Sequence, residues 1–207
     1  MVKENSTHIH LAYTDQFPEE YTSKFRNELS NPGLELKINR RSYGAWMSLE
    51  WAVPGLIAAY IAKPYFESFL KEMGKDHYNV LKNWIKKESN KARLIKVTTI
   101  TSTGSENKID QQNTQSKAFS IYFQTYDERT IKLLFDETLD KETWNQNIEI
   151  MMEWVLDHYQ NYPSDKLTSL TSHLMREPKF DYFAIMKKDG CGWIFYDHQS
   201  LINKIKK

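Results

Sequence analysis

Cysteine is nearly absent from this chain: Cys191 is the only one in 207 residues. No intramolecular disulfide can form, which fits a reducing compartment. Glycine is scarce too, with seven residues. None of them falls in Gly-x-Gly-x-x-Gly, in a Gly-Lys-Ser/Thr phosphate loop or in Gly-x-Ser-x-Gly, and His-Glu-x-x-His is missing. Thr103-Gly104-Ser105 comes nearest to a phosphate loop, but it lacks the lysine and leads into no helix. A charge excess is also lacking, since 28 basic side chains face 27 acidic ones for a net charge of +1. A dedicated nucleic-acid binder carries a basic surplus or stripe, so general nucleic-acid binding is disfavoured. No run reaches the roughly 18 apolar residues of a membrane span. The first residues, MVKENSTHIHLAY, hold no apolar stretch behind a basic one, so no signal peptide is expected. The cytoplasm is the expected location.

What the chain does have is apolar and aromatic mass. Hydrophobic residues make up 40% and aromatics 14%. That argues for a folded protein rather than a disordered one, and the length suits one domain over residues 1–207. Most such aromatics fill a core, though Trp and Tyr also anchor interfaces.

Hydrophobic periodicity gives an order of elements. Residues 8–13 read as a strand. Phe17, Tyr21, Phe25 and Leu29 recur every four residues, which predicts a helix, with Pro18 suited to its first turn. Asn31-Pro32-Gly33 stops it, and Leu34, Leu36 and Ile38 alternate with polar residues as in a half-buried strand. These three elements form a β-α-β unit. Helices are expected over 49–61, over 64–73 with Gly74 as its cap, and over 76–88. Residues 94–100 are rich in β-branched residues and read as a strand. The polar stretch 102–117 reads as a flexible hairpin insertion. Residues 119–124 and 130–135 flank a turn and make one antiparallel hairpin. A helix over 142–159 has Asp140 as its N-cap, and another follows over 164–175. A second hairpin, 180–186 with 191–196, turns through Asp189-Gly190. The fold expected is α+β: a mixed sheet with an N-terminal β-α-β unit, central helices and two later antiparallel hairpins.

Trp46 to Leu70, WMSLEWAVPGLIAAYIAKPYFESFL, is the most apolar stretch. It reads first as a bent core helix, second as a surface that docks a partner or a second copy, and third as an element touching a membrane interface. Its candidate interaction residues are Trp46, Trp51, Leu56, Ile57, Tyr60 and Phe66. Arg40 and Arg41 are candidate anion-binding residues. His8 and His10 share one strand face and could together bind zinc, but no third ligand stands at a recognised spacing, so no metal site is expected. Cys191 and His198 lie seven residues apart, about 20 Å along an extended strand, which excludes a direct thiol–imidazole pair. No cofactor is implied by any motif.

The order strand, helix, strand, apolar segment, helix with Leu81-x-x-Trp84-Ile85, strand resembles the effector-associated constant component domains of bacterial conflict systems. The likeness covers roughly residues 7–135 and is one of layout. It implies a non-catalytic adaptor or regulatory module in bacterial defence, working through a protein partner or self-association, with no catalytic residues to carry over. A smaller similarity, Leu11-Ala12-Tyr13-Thr14-Asp15 before an acidic helix, is to the start of Toll/interleukin-receptor domains, whose parallel sheet the later hairpins contradict. The alternative function is a small cytosolic hydrolase or nucleotide-processing enzyme with an active site outside known motifs. Its polar candidates are His8, His10, Arg40 and Arg41.

Overall fold

The computed structural model describes residues 7–15, 20–30, 33–41, 55–68, 74–95, 114–174 and 181–205. The chain alternates strands with helices: β1 (Ile9–Thr14), α1 (Glu20–Leu29), β2 (Leu36–Arg41), β3 (Ile57–Ile61), α2 (Lys63–Ser68), α3 (Gly74–Ala92), β4 (Phe119–Gln124), β5 (Thr130–Leu134), α4 (Lys141–Asn161), α5 (Lys166–Thr171), β6 (Asp181–Met186), β7 (Trp193–Tyr196) and α6 (His198–Ile205). All the described strands join one seven-stranded sheet in the order β2-β1-β3-β4-β5-β6-β7. The protein is α+β with a mixed sheet.

Pairing alternates across that sheet. β1 and β2, β3 and β4, and β5 and β6 run parallel, whereas β1–β3, β4–β5 and β6–β7 are antiparallel. Each parallel pair is joined by a helical connection, as parallel neighbours require. The expected β-α-β start is there, and the two expected hairpins are β4–β5 and β6–β7. The same reasoning missed two further parallel pairings, of β3 with β4 and of β5 with β6.

The cause of the first miss is the central segment. Ile57–Ile61 is a strand rather than the expected helix, flanked by β1 on one side and β4 on the other. A strand covered on both faces reads as a short continuous apolar run, which periodicity cannot tell from a buried helix. Leu56, Ile57 and Phe66 are buried at 6%, 3% and 0% exposure, inside the chain's own core. Tyr60 is half-buried, and Trp46 and Trp51 lie outside the described residues. Gly74 opens α3 rather than capping the preceding helix. Pro64 is the second residue of α2, where its missing N–H costs nothing. Most of the expected strand 94–100 and of the expected insertion 102–117 also lies outside the described residues. Gln115, at its end, bridges to Asp136 beside β5.

One face of the sheet carries the main core. Ile9, Leu11, Ile57, Ala59, Ile61, Ile121, Phe123, Ile131, Leu133, Tyr182 and Ala184 point to that side, and α1, α3 and α4 lie over it. Phe25 and Leu29 of α1, Leu81, Trp84 and Ile85 of α3, and Trp144, Ile148, Met151 and Val155 of α4 supply the facing stripes. Asp140 caps α4, accepting from the Thr143 N–H at 2.7 Å. Asn147, in α4, is fully buried and holds the β6–β7 turn. Its amide donates to the carbonyls of Thr143 and Lys187 at 3.0 and 3.3 Å, and its Oδ1 accepts from the Gly192 N–H at 2.9 Å. Its own carbonyl accepts from Trp193 Nε1 at 2.7 Å.

The second face is covered differently. Strand side chains alternate, so Leu134 and Phe183 point away from the main core and pack with Leu201 of α6. Farther across, Ala12, Ala58, Tyr60 and Tyr122 form a separate cluster on that same side.

Ile57→Asp should abolish the fold. It places an uncompensated charge beneath the sheet at a cost of about 3–5 kcal/mol, against the ~5–15 kcal/mol that holds a typical domain together. Loss of the far-UV circular dichroism signal is the expected reading. A folded variant with an altered size on gel filtration would instead make Ile57 an interface residue.

Candidate functional site

The second face of the sheet gathers side chains that a core has no need of. Strand register sets one row straight across it: Lys37 of β2, His10 of β1, Tyr60 of β3, Tyr122 of β4, Lys132 of β5, Phe183 of β6 and Tyr196 of β7 are successive cross-strand neighbours. The rings follow the register. His10 stacks on Tyr60 with centroids 5.6 Å apart, and Tyr60 stacks on Tyr122 at 4.3 Å. Lys132 Nζ sits over the Tyr122 ring, 5.6 Å from its centroid. Beside this row lies a second one of small side chains, Ala12, Ala58 and Ser120, again in direct register. Thr14 and Arg41 face each other beyond it.

Cross-strand aromatic pairs stabilise a sheet by about 0.2–1 kcal/mol each, and that accounts for the stacking. It does not account for the charges. Lys132 is 3% exposed. Burial strips its ammonium of water, Asp181 partly compensates, and Arg41 repels it, so its pKa falls to about 7. Burial raises the Tyr122 and Tyr60 hydroxyls above the ordinary phenol value; Asp181 pushes both the same way, and Arg41 opposes it. Asp181 itself is raised by desolvation, against the hydrogen bond from Thr130 and the charge of Lys132. Its side chain keeps access to solvent, which bounds that rise. Arg41, Tyr60, Tyr122, Lys132 and Asp181 thus form one electrostatic cluster, drawn from β2, β3, β4, β5 and β6.

Among the described residues, His10 Nε2 and Thr14 Oγ1 on this face are buried without a hydrogen-bond partner. The Tyr60 and Tyr122 hydroxyls lie close enough for a hydrogen bond between them to bear on both protons, favouring loss at Tyr60 and retention at Tyr122. Orphaned buried polar atoms are rare, because each forfeits its hydration for nothing. Stacked aromatics beside cations also suit single-stranded nucleic acid. Here, however, Tyr60 lies between the rings of His10 and Tyr122, and Tyr122 is buried, so no pair of ring faces is open to a base.

The sequence candidates are placed as follows. Arg40 and Arg41 are consecutive on β2 and point to opposite faces, so they do not converge. Arg40 donates to the Asp15 carbonyl at 3.3 Å, and Arg41 donates to the Gly55 carbonyl. His8 and His10 do not meet a common ligand either. His8 Nδ1 accepts from the Glu35 N–H at 3.1 Å while its Nε2 lies 3.1 Å from Ser68 Oγ. Among the described residues no group of three His, Cys, Asp or Glu is placed to hold a metal. Cys191 is exposed in the β6–β7 turn, and His198 opens α6 at the far end of β7. Of the apolar candidates among the described residues, Tyr60 belongs to the cluster, while Leu56, Ile57 and Phe66 do not.

Lys132, Tyr122 and Asp181 were not singled out by their sequence. In Thr130-Ile131-Lys132-Leu133-Leu134, a lysine at an alternate position of a hairpin strand reads as solvated. Only the register of the whole sheet shows that it stands in line with His10, Tyr60 and Tyr122.

A second histidine centre is structural. Asp165 accepts from His158 Nδ1 at 2.9 Å and from Thr168 Oγ1 at 2.6 Å. His158 Nε2 accepts from the Tyr126 N–H at 3.1 Å. Both ring nitrogens are used, so the imidazole has no lone pair left for a general base. Burial alone would raise the Asp165 carboxyl, but the bonds from Thr168 and His158 outweigh it and hold the group below its ordinary value. A nearby cavity of about 220 Å³ is lined by Asp127, Arg129, Tyr162, Thr168, Thr171 and Ser172. Its one cation, Arg129, is already bonded to Asp127 and Tyr182.

No protein-family model, no curated protein and no solved structure matches this chain. No helix among the described residues is long and apolar enough to cross a membrane.

Lys132→Met should stabilise the protein, most of all near neutrality and below. Between pH 7 and about pH 10 the unfolded chain keeps a lysine proton that native Lys132 has lost, so in the wild type this group makes stability rise with pH. The gain in Tm of the variant over the wild type should therefore shrink from pH 7 to pH 9. A gain independent of pH would place the amine in water. His158→Ala should lower stability by about 2–4 kcal/mol, because it leaves the buried Asp165 carboxylate short of a donor and the Tyr126 N–H without an acceptor.

Proposed function

We propose that this protein handles a small anionic molecule on the second face of its sheet, as a small-molecule enzyme or ligand-binding protein. The reading rests on one observation: Lys132 is buried beside Tyr122 on the face that Arg41 also charges, so two cations repel each other across a site that contains orphaned polar atoms. A bound anion lowers that repulsion and lets Lys132 take up its proton. The hydroxyls of Thr14 and Tyr122 and the His10 imidazole then offer hydrogen bonds to the rest of the ligand. A site with few converging polar groups in apolar and aromatic surroundings is the usual form of a small-molecule pocket. Strongly perturbed titratable groups concentrate at such sites.

The adaptor reading has narrower support. Leu56, Ile57 and Phe66 are occupied inside the core, so a docking surface would have to be drawn from elsewhere. Leu94, 78% exposed just after α3, is the described apolar side chain most available to a partner.

Inorganic phosphate and acetate, each compared with chloride at equal ionic strength, should raise the Tm of the wild type. The rise should be greater at pH 6 than at pH 9, since binding a charged Lys132 is easier where the proton is plentiful. Arg41→Met and Lys132→Met should each remove most of it. An equal rise in chloride, or one that survives both substitutions, sinks the reading.

A further inference from the structure

We infer that the cavity between the β4–β5 turn and α5 binds one neutral sugar ring, held by Asp127, Arg129 and the hydroxyls of Thr171 and Ser172, with the Tyr162 ring as a wall. None of these residues belongs to the anion-site cluster on the second face.

Size narrows the ligand first. The cavity measures about 220 Å³. With roughly 30 Å³ for each water, it has room for a molecule the size of about seven waters. That suits one pyranose ring with its hydroxyls, and it falls below the roughly 300–1,000 Å³ of pockets that take drug-sized ligands. Solvent reaches the cavity, because Asp127, Tyr162, Pro163 and Ser172 line it and are exposed.

Charge narrows it next. Arg129 donates to the Asp127 carboxylate within the β4–β5 turn. Burial alone would raise the Asp127 carboxyl, but the bonds from Arg129 and Thr125 outweigh it and hold the group below its ordinary value. The pair is therefore ionised at neutral pH and carries no net charge, and the other lining residues are uncharged. An anion would meet the carboxylate and a cation the guanidinium, so a neutral molecule is the better match.

Hydrogen-bonding capacity then selects a polyol. A guanidinium has five N–H donors, and Arg129 spends one on Asp127 and one on the Tyr182 hydroxyl. A carboxylate accepts about four bonds. Asp127 receives one from Thr125 Oγ1, at 2.5 Å, and one from Arg129. The hydroxyls of Thr171 and Ser172 donate to the carbonyls of Leu167 and Ser169, each at 2.9 Å. With their protons committed, those oxygens offer lone pairs alone. The cavity thus presents spare donors and spare acceptors together. A sugar hydroxyl both gives and takes a hydrogen bond, and two on adjacent carbons can span one edge of a guanidinium or a carboxylate. Tyr162 adds apolar surface for the C–H groups of the ring. It stacks on Tyr126 with centroids 4.9 Å apart and meets the His158 ring at 5.2 Å, nearly perpendicular. Thr168, also in the lining, donates to Asp165 of the satisfied His158 centre. Walls held in place beforehand lower the ordering cost of binding.

The full-length chain is titrated with D-glucose, D-galactose, D-mannose and N-acetyl-D-glucosamine, with binding read by saturation-transfer difference NMR. At least one sugar should bind with a dissociation constant of about a millimolar, in keeping with a ligand of about a dozen non-hydrogen atoms. The amino-sugar and uronic-acid counterparts of that sugar, one cationic and one anionic, should bind more weakly. Tyr162→Ala removes the wall, and Ser172→Leu fills the cavity from an exposed position. Each should weaken binding at least about tenfold, with circular dichroism confirming that both variants are folded. No saturation transfer with any of the four sugars, binding that survives both substitutions, or a preference for either charged counterpart overturns the inference.

Discussion

The antiparallel seam between β1 and β3 is the join on which the architecture depends. On one side of it stands the β1–α1–β2 unit, complete in its own pairing. On the other stand the five strands from β3 to β7. Five register pairs, from Ile9 with Ile61 to Tyr13 with Ile57, connect the two. The seam works because β3 is apolar on both faces and carries Ala58 and Ala59 at its centre, side chains small enough to let either face be covered closely. Replace one with a bulky residue and an overpacking cost of about 1–3 kcal/mol follows. The seam also creates the second face, since it sets His10 and Tyr60 side by side and lets the row continue from the first unit into the rest of the sheet.

The two faces divide the work of the fold. The helix-covered face is conventional packing: Phe25, Trp84, Phe119, Trp144 and their neighbours fill it with rings and branched chains. The opposite face is where stability is conceded. A buried lysine near an arginine, two tyrosines with raised hydroxyls and the unsatisfied atoms of His10 and Thr14 all work against folding. Proteins keep such arrangements where function asks for them, and a chain of this size has enough apolar burial elsewhere to carry the loss. The His158–Asp165–Thr168 centre is the opposite case. Every atom there is satisfied, and it ties the β4–β5 turn to the end of α4 and the start of α5.

Much of the fold was legible in the sequence. Phe25 and Leu29 at helical spacing, Asp140 before the longest amphipathic stretch, and Asp189-Gly190 between two short strands each contain their structure locally. The central run did not. Ile-Ala-Ala-Tyr-Ile has no polar residue to reveal a period, so helix and strand were equally consistent with it, and its true state depends on two neighbours distant in sequence. The candidate site was less legible still, because its row is made by register. His10 and Tyr60 are fifty residues apart, and Lys132 looks like any solvated strand lysine until five strands are aligned. Arg41 was visible as a charge, but only the strand's alternation separates it from Arg40 and turns it alone toward Tyr60 and Tyr122.

Asn147 has a wider effect than holding one turn. Two-residue alternation means that a hairpin sliding by a single position would exchange its inner and outer faces. Here the α4 side chain reads Lys187 on one arm and Gly192 on the other, and the backbone beside it reads the Trp193 indole. The last pair of strands therefore takes its alignment from a helix already docked on the main core. The edge of the sheet is thereby indexed to its interior, and the position of Phe183 next to Lys132 is set from a residue on the opposite side of the sheet.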